Sequence, residues 1–301
     1  MGDPEHDFRL EKRLRQLDPK LHRRFTDAVF ALQYNLSNYK LIFPEYTDHT
    51  MLHSLTVIDF CNRLMGEQVE KLNADEIYTL LMGCYFHDTG MGISKKDYEL
   101  FCSQIDFGNY FDTNDRNNIP KTIRTFHHEF SGRFIRKYSE LFEIPSEEHI
   151  RAITQIARGH RKTDLFDESE YPVAFEVPGG NTVCLPYLAS LIRLADEIDV
   201  TASRNPKLLY DLESLTDEKE IFYNKMNKAV RTMDITPDSF ILRLDDSEIT
   251  DTGSYSASDL RESLIRMAEK MQYTLDYCRH VVGERTPFRI SQEKVLIEDE
   301  N

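Results

Sequence analysis

Apolar residues spaced three and four apart dominate this chain. Between residues 20 and 40, Leu21, Phe25, Ala28, Val29, Leu32 and Leu36 fall on one helical face, which predicts an amphipathic helix. A second helix begins near Asp48, a suitable N-cap. Met51, Leu52, Leu55, Val57, Ile58 and Leu64 follow it, and Gly66 is suited to stop it. A third starts at Asn73, where Asn73-Ala74-Asp75-Glu76 approximates a capping box, and runs through Ile77, Leu80, Leu81, Cys84 and Tyr85 into His87-Asp88. An imidazole and a carboxylate therefore end an apolar helix. Helical patterns recur over 121–141, 147–158 and Leu185 to Val200, the last interrupted by Arg193, Asp196, Glu197 and Asp199. The stretch from Gly90 to Pro120 looks irregular and suits either an active-site lid or a plain structural loop. Residues 174–177 and 182–185 flank a glycine-rich turn and predict a small hairpin.

Beyond Pro206 the pattern changes. A charged helix near 216–228 precedes an alternating segment, Val230 to Leu244, split at Pro237-Asp238, and a long amphipathic helix follows over 257–283. Thr286 to Asn301 is polar and acidic with a short apolar run at Val295 to Ile297, which reads as a tail or the start of a linker. The expected fold is mainly α: a helical domain over 1–205 and a C-terminal α+β appendage over 206–301, whose long helix permits a homo-oligomer.

Composition narrows the function classes. At 301 residues, 40% hydrophobic and 30% charged, the chain can bury one large core or two modest ones. No apolar run approaches the roughly 18 residues of a membrane span, and the charged N-terminus lacks a signal-peptide pattern, so a cytoplasmic location is expected. The five cysteines are scattered and read as reduced thiols. A formal charge of −15 argues against long nucleic acids while leaving room for a small anion in a locally basic pocket.

Divalent metal sites in hydrolases draw neutral imidazoles and carboxylates from different helices and leave positions open. His53 lies in the apolar run Leu52-His53-Ser54-Leu55-Thr56-Val57, where a core histidine is the ordinary alternative. His87-Asp88, followed by Thr89-Gly90, can reach one ion from a turning backbone, or Asp88 can serve as a cap. Asp196 on an apolar helix carries a desolvation cost unless a cation offsets it, and Arg193 is a candidate for that cation.

The ordered set of His53, His87-Asp88-Thr89-Gly90 and Leu194-Ala195-Asp196-Glu197-Ile198-Asp199 resembles the signature of HD-superfamily phosphohydrolases over roughly residues 45 to 205. The resemblance implies a helical HD bundle with the hairpin as an insertion, and His53, His87, Asp88 and Asp196 as metal ligands. Arg124 to Ser131, Arg158-Gly159-His160-Arg161 and Asp196 to Arg204 are similar to the extra histidines and acidic stretch of HD-GYP phosphodiesterases and related domains. They imply a second ion at His128 and His160, which Asp88 with its two oxygens would bridge; His127, one residue away on a helix, is expected to face a different direction. Met91 stands where a lysine often follows, no Gly-Tyr-Pro follows His160, and the continuation seen in dNTP triphosphohydrolases is missing. A cyclic di-GMP phosphodiesterase is not supported. The style of the motifs also resembles HD domains found beside Hsp90-like ATPase domains.

The resemblance implies one or two divalent ions (Mn, Fe, Mg or Zn) and hydrolysis of a nucleotide or related small phosphoester by a metal-activated water. Asp88, Glu129, Arg124 and Arg161 are the catalytic candidates. His49, Lys95, Arg158, Lys162 and Arg204 are candidates for binding substrate. A solvated basic loop is the plain alternative for the cations, and an outward helical glutamate for Glu129. A second reading is a catalytically silent sensor that binds metal or nucleotide and regulates a fused or associated ATPase. A third is a helical structural protein with buried polar pairs.

Overall fold

A computed structural model describes residues 9–36, 51–108, 119–161, 163–201 and 218–300. Its architecture is mainly helical, with small sheets. Helices α1 (Arg9–Leu17) and α2 (Pro19–Leu36) form an N-terminal pair, and α2 turns Leu21, Phe25, Ala28 and Leu32 inward at the spacing the sequence predicts. Asp18 caps α2 by accepting from the amides of Lys20 and Leu21. Helix α3 (Met51–Met65) ends at Gly66, whose φ of 52° suits a residue without a side chain. The expected cap at Asp48 lies outside the described residues.

Helix α4 (Ala74–Phe86) is buried all round, as an apolar helix at the centre of a bundle must be. Its capping box is formed: Asn73 accepts from the Glu76 amide, and Glu76 accepts from the Asn73 amide. Helices α7 (Glu147–Arg158) and α8 (Leu185–Ile198) cross α4 closely at Gly83. A Cβ there would stand 2.7 Å from Ile156 and 3.0 Å from Ile192, so glycine sets the distance at which the three helices pack. Fully burying each leucine, isoleucine or phenylalanine in this core contributes roughly 1.5–3 kcal/mol.

The region read as irregular contains more structure than its sequence suggests. A 3-10 turn, Thr89–Gly92, leads into α5 (Lys95–Cys102), capped by the Ser94 hydroxyl on the Asp97 amide. Helix α6 (Ile119–Tyr138) follows, with a break in its backbone at Phe126 (φ −117°, ψ 16°). The hairpin is present as β1 (Phe175–Glu176) against β2 (Thr182–Val183).

In the C-terminal part, α9 (Glu218–Ala229) precedes the antiparallel pair β3 (Val230–Ile235) and β4 (Ser239–Asp245). The supposed tail is no tail. Lys294–Glu300 forms β5, which pairs in parallel with β4, Phe240 opposite Val295 and Leu242 opposite Ile297. In the apolar run at 295–297, Val295 and Ile297 are partly buried and Leu296 between them is exposed. Helix α10 (Ala257–Arg285) packs along α8 and β5 through Leu264, Met271, Leu275 and Cys278. No helix among the described residues is long and apolar enough to cross a membrane, and all five cysteines are free.

Candidate metal centre

Five helices, two of them through the turns at their C-terminal ends, deliver the polar side chains at the centre of the bundle. Helix α3 brings His53, the C-terminal end of α4 brings His87 and Asp88, α6 brings His127, the end of α7 brings His160, and α8 brings Asp196. All of them are buried except Asp196, whose side chain is 18% exposed. Asp88 is the common member. His53, His87 and Asp88 form one group and Asp88, His127 and His160 another, each with its offered atoms within 4.8 Å of one another.

The two oxygens of Asp88 divide the work. Oδ2 lies 3.5 Å from His53 Nε2 and 3.4 Å from His87 Nε2. Oδ1 lies 3.4 Å from His127 Nε2 and 3.8 Å from His160 Nε2. Asp196 Oδ1 joins the first group, 3.3 Å from His53 Nε2 and 3.9 Å from His87 Nε2.

Each imidazole is fixed from behind by its Nδ1. That of His53 donates to Asp199 Oδ2 at 2.6 Å. The others donate to carbonyls: His87 to Cys84 at 2.8 Å, His127 to Arg124 at 2.8 Å, and His160 to Ala157 at 2.5 Å. A proton on Nδ1 leaves Nε2 of the neutral ring as a lone pair. Yet His53 Nε2 stands 3.0 Å from His87 Nε2, and His127 Nε2 stands 2.8 Å from His160 Nε2. Lone pairs facing at that distance, beside two carboxylates, demand positive charge between them.

The electrostatics agree. Burial opposes protonation of His87, but Asp88 and Asp196 outweigh it and push the ring up to about 9. Burial likewise opposes ionisation of Asp196, yet His53, His160 and His87 hold it well below the usual carboxylate range. His160 is depressed by burial and by its imidazole neighbours His87 and His127. A proton on one ring is one source of the required charge, and a divalent cation is another. Ligands about 2.1 Å from one ion at right angles to each other lie about 3.0 Å apart, the separation of the facing nitrogens. The donor set therefore fits a metal.

The turn after α4 is pinned to α6. Ser131 Oγ donates to the His87 carbonyl at 2.6 Å and accepts from the Gly90 amide at 2.8 Å. A Cβ on Gly90 would lie 2.1 Å from the His127 carbonyl oxygen. The backbone approach that places Asp88 beside His127 is thus open only to glycine.

Several sequence expectations change here. His127, not His128, enters the second group. The break at Phe126 shifts the helical phase, so the residue expected to face away is the one that points in. His128 lies to the side, Nε2 3.7 Å from Glu129, with its Nδ1 buried and making no hydrogen bond. Burial, then His127 and the guanidinium groups of Arg161, Arg158 and Arg193, hold it down to about 3. Glu129 accepts from Arg158 Nε and Nη2 at 3.0 and 2.6 Å, and Arg158 also reaches Gln155 and Glu170, so these two satisfy each other. Arg193 does not pair with Asp196. It donates to the Gly159 and Thr163 carbonyls at 2.7 and 2.8 Å and stacks over Tyr277, tying the His160 turn to α8 and α10. Arg124 is exposed and serves the cluster through its carbonyl oxygen. Lys95 is exposed on the first turn of α5. His49, Lys162 and Arg204 lie outside the described residues.

Arg161 lines a cleft of about 670 Å³ that starts at His160. Helix α10 also lines it, through Lys270, Tyr273 and Tyr277, residues that no local pattern connects with the site. Asp199, noticed only as part of a motif, proves to be the carboxylate behind His53.

Fold and cluster together define an HD-type helical domain whose His/Asp groups could hold metal. The chain belongs to the HD-CE family, whose model matches residues 43–279 and so runs well into the C-terminal part. No curated protein and no solved structure matches.

Proposed function

We propose that this chain is a metal-dependent phosphohydrolase acting on a nucleotide or related small phosphoester. The observation that carries the reading is the pair of facing Nε2 contacts, 3.0 and 2.8 Å, arranged around the two oxygens of Asp88. His53, His87, Asp88 and Asp196 would hold one ion, and Asp88, His127 and His160 a second. Bound there, such ions would supply an acidified water and the means to polarise a phosphoryl oxygen.

The protein's own groups do the rest. Asp199 and the carbonyls of Cys84, Arg124 and Ala157 keep the protons of the four rings on Nδ1, so every Nε2 arrives as a donor of electrons without rearrangement. Arg161, which lines the cleft next to His160, would bind phosphate oxygens. Glu129 is held by Arg158 and is not assigned a proton-transfer role.

Elemental analysis of wild type and Asp88→Ala, paired with phosphate release from a nucleotide panel, tests the reading. Two ions per chain, lost in the variant, together with turnover are expected. Bound metal without turnover on any substrate would favour the sensor reading, in which the same cluster binds but does not hydrolyse. No metal under any loading condition would sink both.

A further inference from the structure

Helix α10 contributes one large aromatic to the cleft that no packing requirement explains. Tyr273 is 75% exposed, while Met271 and Leu275 beside it in sequence are fully buried. One turn on, Tyr277 is bound into the structure. Its hydroxyl accepts from the Leu165 amide at 2.7 Å and lies 3.2 Å from Asp164, and its ring is covered by Arg193. Tyr273 makes no hydrogen bond or ring contact among the described residues, yet it lines the same cleft as His160 and Arg161.

The cations of the cleft sort in the same way. Arg193 is spent on the Gly159 and Thr163 carbonyls, and Lys270 on Glu197 at 2.7 and 3.1 Å. The Arg161 side chain makes no hydrogen bond or close ion pair among the described residues; the acid that feels its charge is Glu197, which Lys270 already holds. A guanidinium without a hydrogen bond or close ion pair, next to His160, suits a phosphate, and an exposed aromatic face in the same cleft suits a flat ring. The volume lies within the roughly 300–1,000 Å³ usual for small-ligand sites.

We propose that α10 is the specificity wall of this site: Tyr273 stacks the aromatic base of a nucleotide whose phosphate is held by Arg161. The inference rests on the phosphohydrolase reading only for the orientation, phosphate towards the His/Asp cluster and base towards α10.

Adenosine 5′-monophosphate and ribose 5-phosphate differ at the anomeric carbon, where one carries adenine and the other a hydroxyl, so their affinities report on the ring. Titration calorimetry of both into the full chain, as wild type, Tyr273→Ala, Tyr273→Phe and Arg161→Ala, reads the proposal. Wild type is expected to bind the nucleotide on the order of tenfold or more tightly than the sugar phosphate. Tyr273→Ala is expected to bring that ratio close to one, Tyr273→Phe to keep it, and Arg161→Ala to weaken both ligands. Equal affinities in wild type, an unchanged ratio in Tyr273→Ala, or no binding of the nucleotide would overturn the inference. Phosphate release, measured separately, distinguishes the two readings. Selective binding without release under any divalent ion would leave the base wall standing and sink hydrolysis. Release from both phosphates at equal rates, without selective binding, would do the reverse.

Discussion

His53 Nδ1 donates to Asp199 Oδ2 across 2.6 Å in a pocket where both side chains are 1% exposed. A buried carboxylate behind a ligand imidazole orients the ring and raises its basicity, and removing such a partner commonly costs roughly 10–100-fold in metal affinity. Asp199→Asn is expected to weaken divalent-ion binding about tenfold or more with helical content intact. Competition against a chelator of known affinity, with far-ultraviolet circular dichroism as the folding control, checks this. Undiminished affinity would remove Asp199 from the site.

The two adjacent histidines of α6 should separate cleanly. His127→Ala is expected to lose one of two ions per chain, whereas His128→Ala should retain both, because only His127 faces Asp88. Elemental analysis decides, and the opposite pattern would restore the phase that an unbroken helix gives.

Gly90→Ala drives a methyl group to 2.1 Å from a backbone carbonyl and 2.8 Å from the Ser131 amide nitrogen. Neither backbone can yield without moving α6 or the His87-Asp88 turn. A loss of about 3 kcal/mol or more is expected, at the upper end for overpacked sites. Urea unfolding measures it, and a loss below about 0.5 kcal/mol would show that the turn is free to move.

Asp97 provides a pH test remote from the cluster. Burial would raise its carboxyl, but Lys137, Ser94 and Tyr138 hydrogen bond to it and hold it below the ordinary value. A lowered carboxylate contributes stability that is complete above its unfolded value of about 3.9 and is lost as pH falls through the folded value. Asp97→Asn should therefore be less stable than wild type near neutral pH, and the gap should narrow as pH falls below about 4. Urea midpoints across that range check the sign. A gap that widens on acidification would contradict it.

Local chemistry made much of the molecule legible. The three- and four-residue periodicity marks α2, α4, α7, α8 and α10, the Asn73–Glu76 box marks where α4 starts, and the glycine-rich turn marks the hairpin. These signals act within a few residues, through side-chain spacing and backbone capping, and so they survive in the sequence alone. The order His53, His87-Asp88, Asp196 was legible as a resemblance to the HD signature, while each residue by itself left a core or capping role open.

Features that depend on distant chain segments were not legible in this way. Whether His127 or His128 turns inward depends on a backbone break at Phe126, and no residue type at that position announces one. β5 needs β4, more than fifty residues earlier, to satisfy its amides. Arg193 has a carboxylate three residues away in Asp196, but the fold presents it with the carbonyls of Gly159 and Thr163 instead. Tyr273 shares a cleft with His160 and Arg161 only because α10 packs back along α8. Residue spacing was enough to define the helices and the kinds of ligand they carry. Tertiary packing chose which atoms converge, because side-chain direction at a buried site is set by helix phase and crossing, quantities that belong to the whole core.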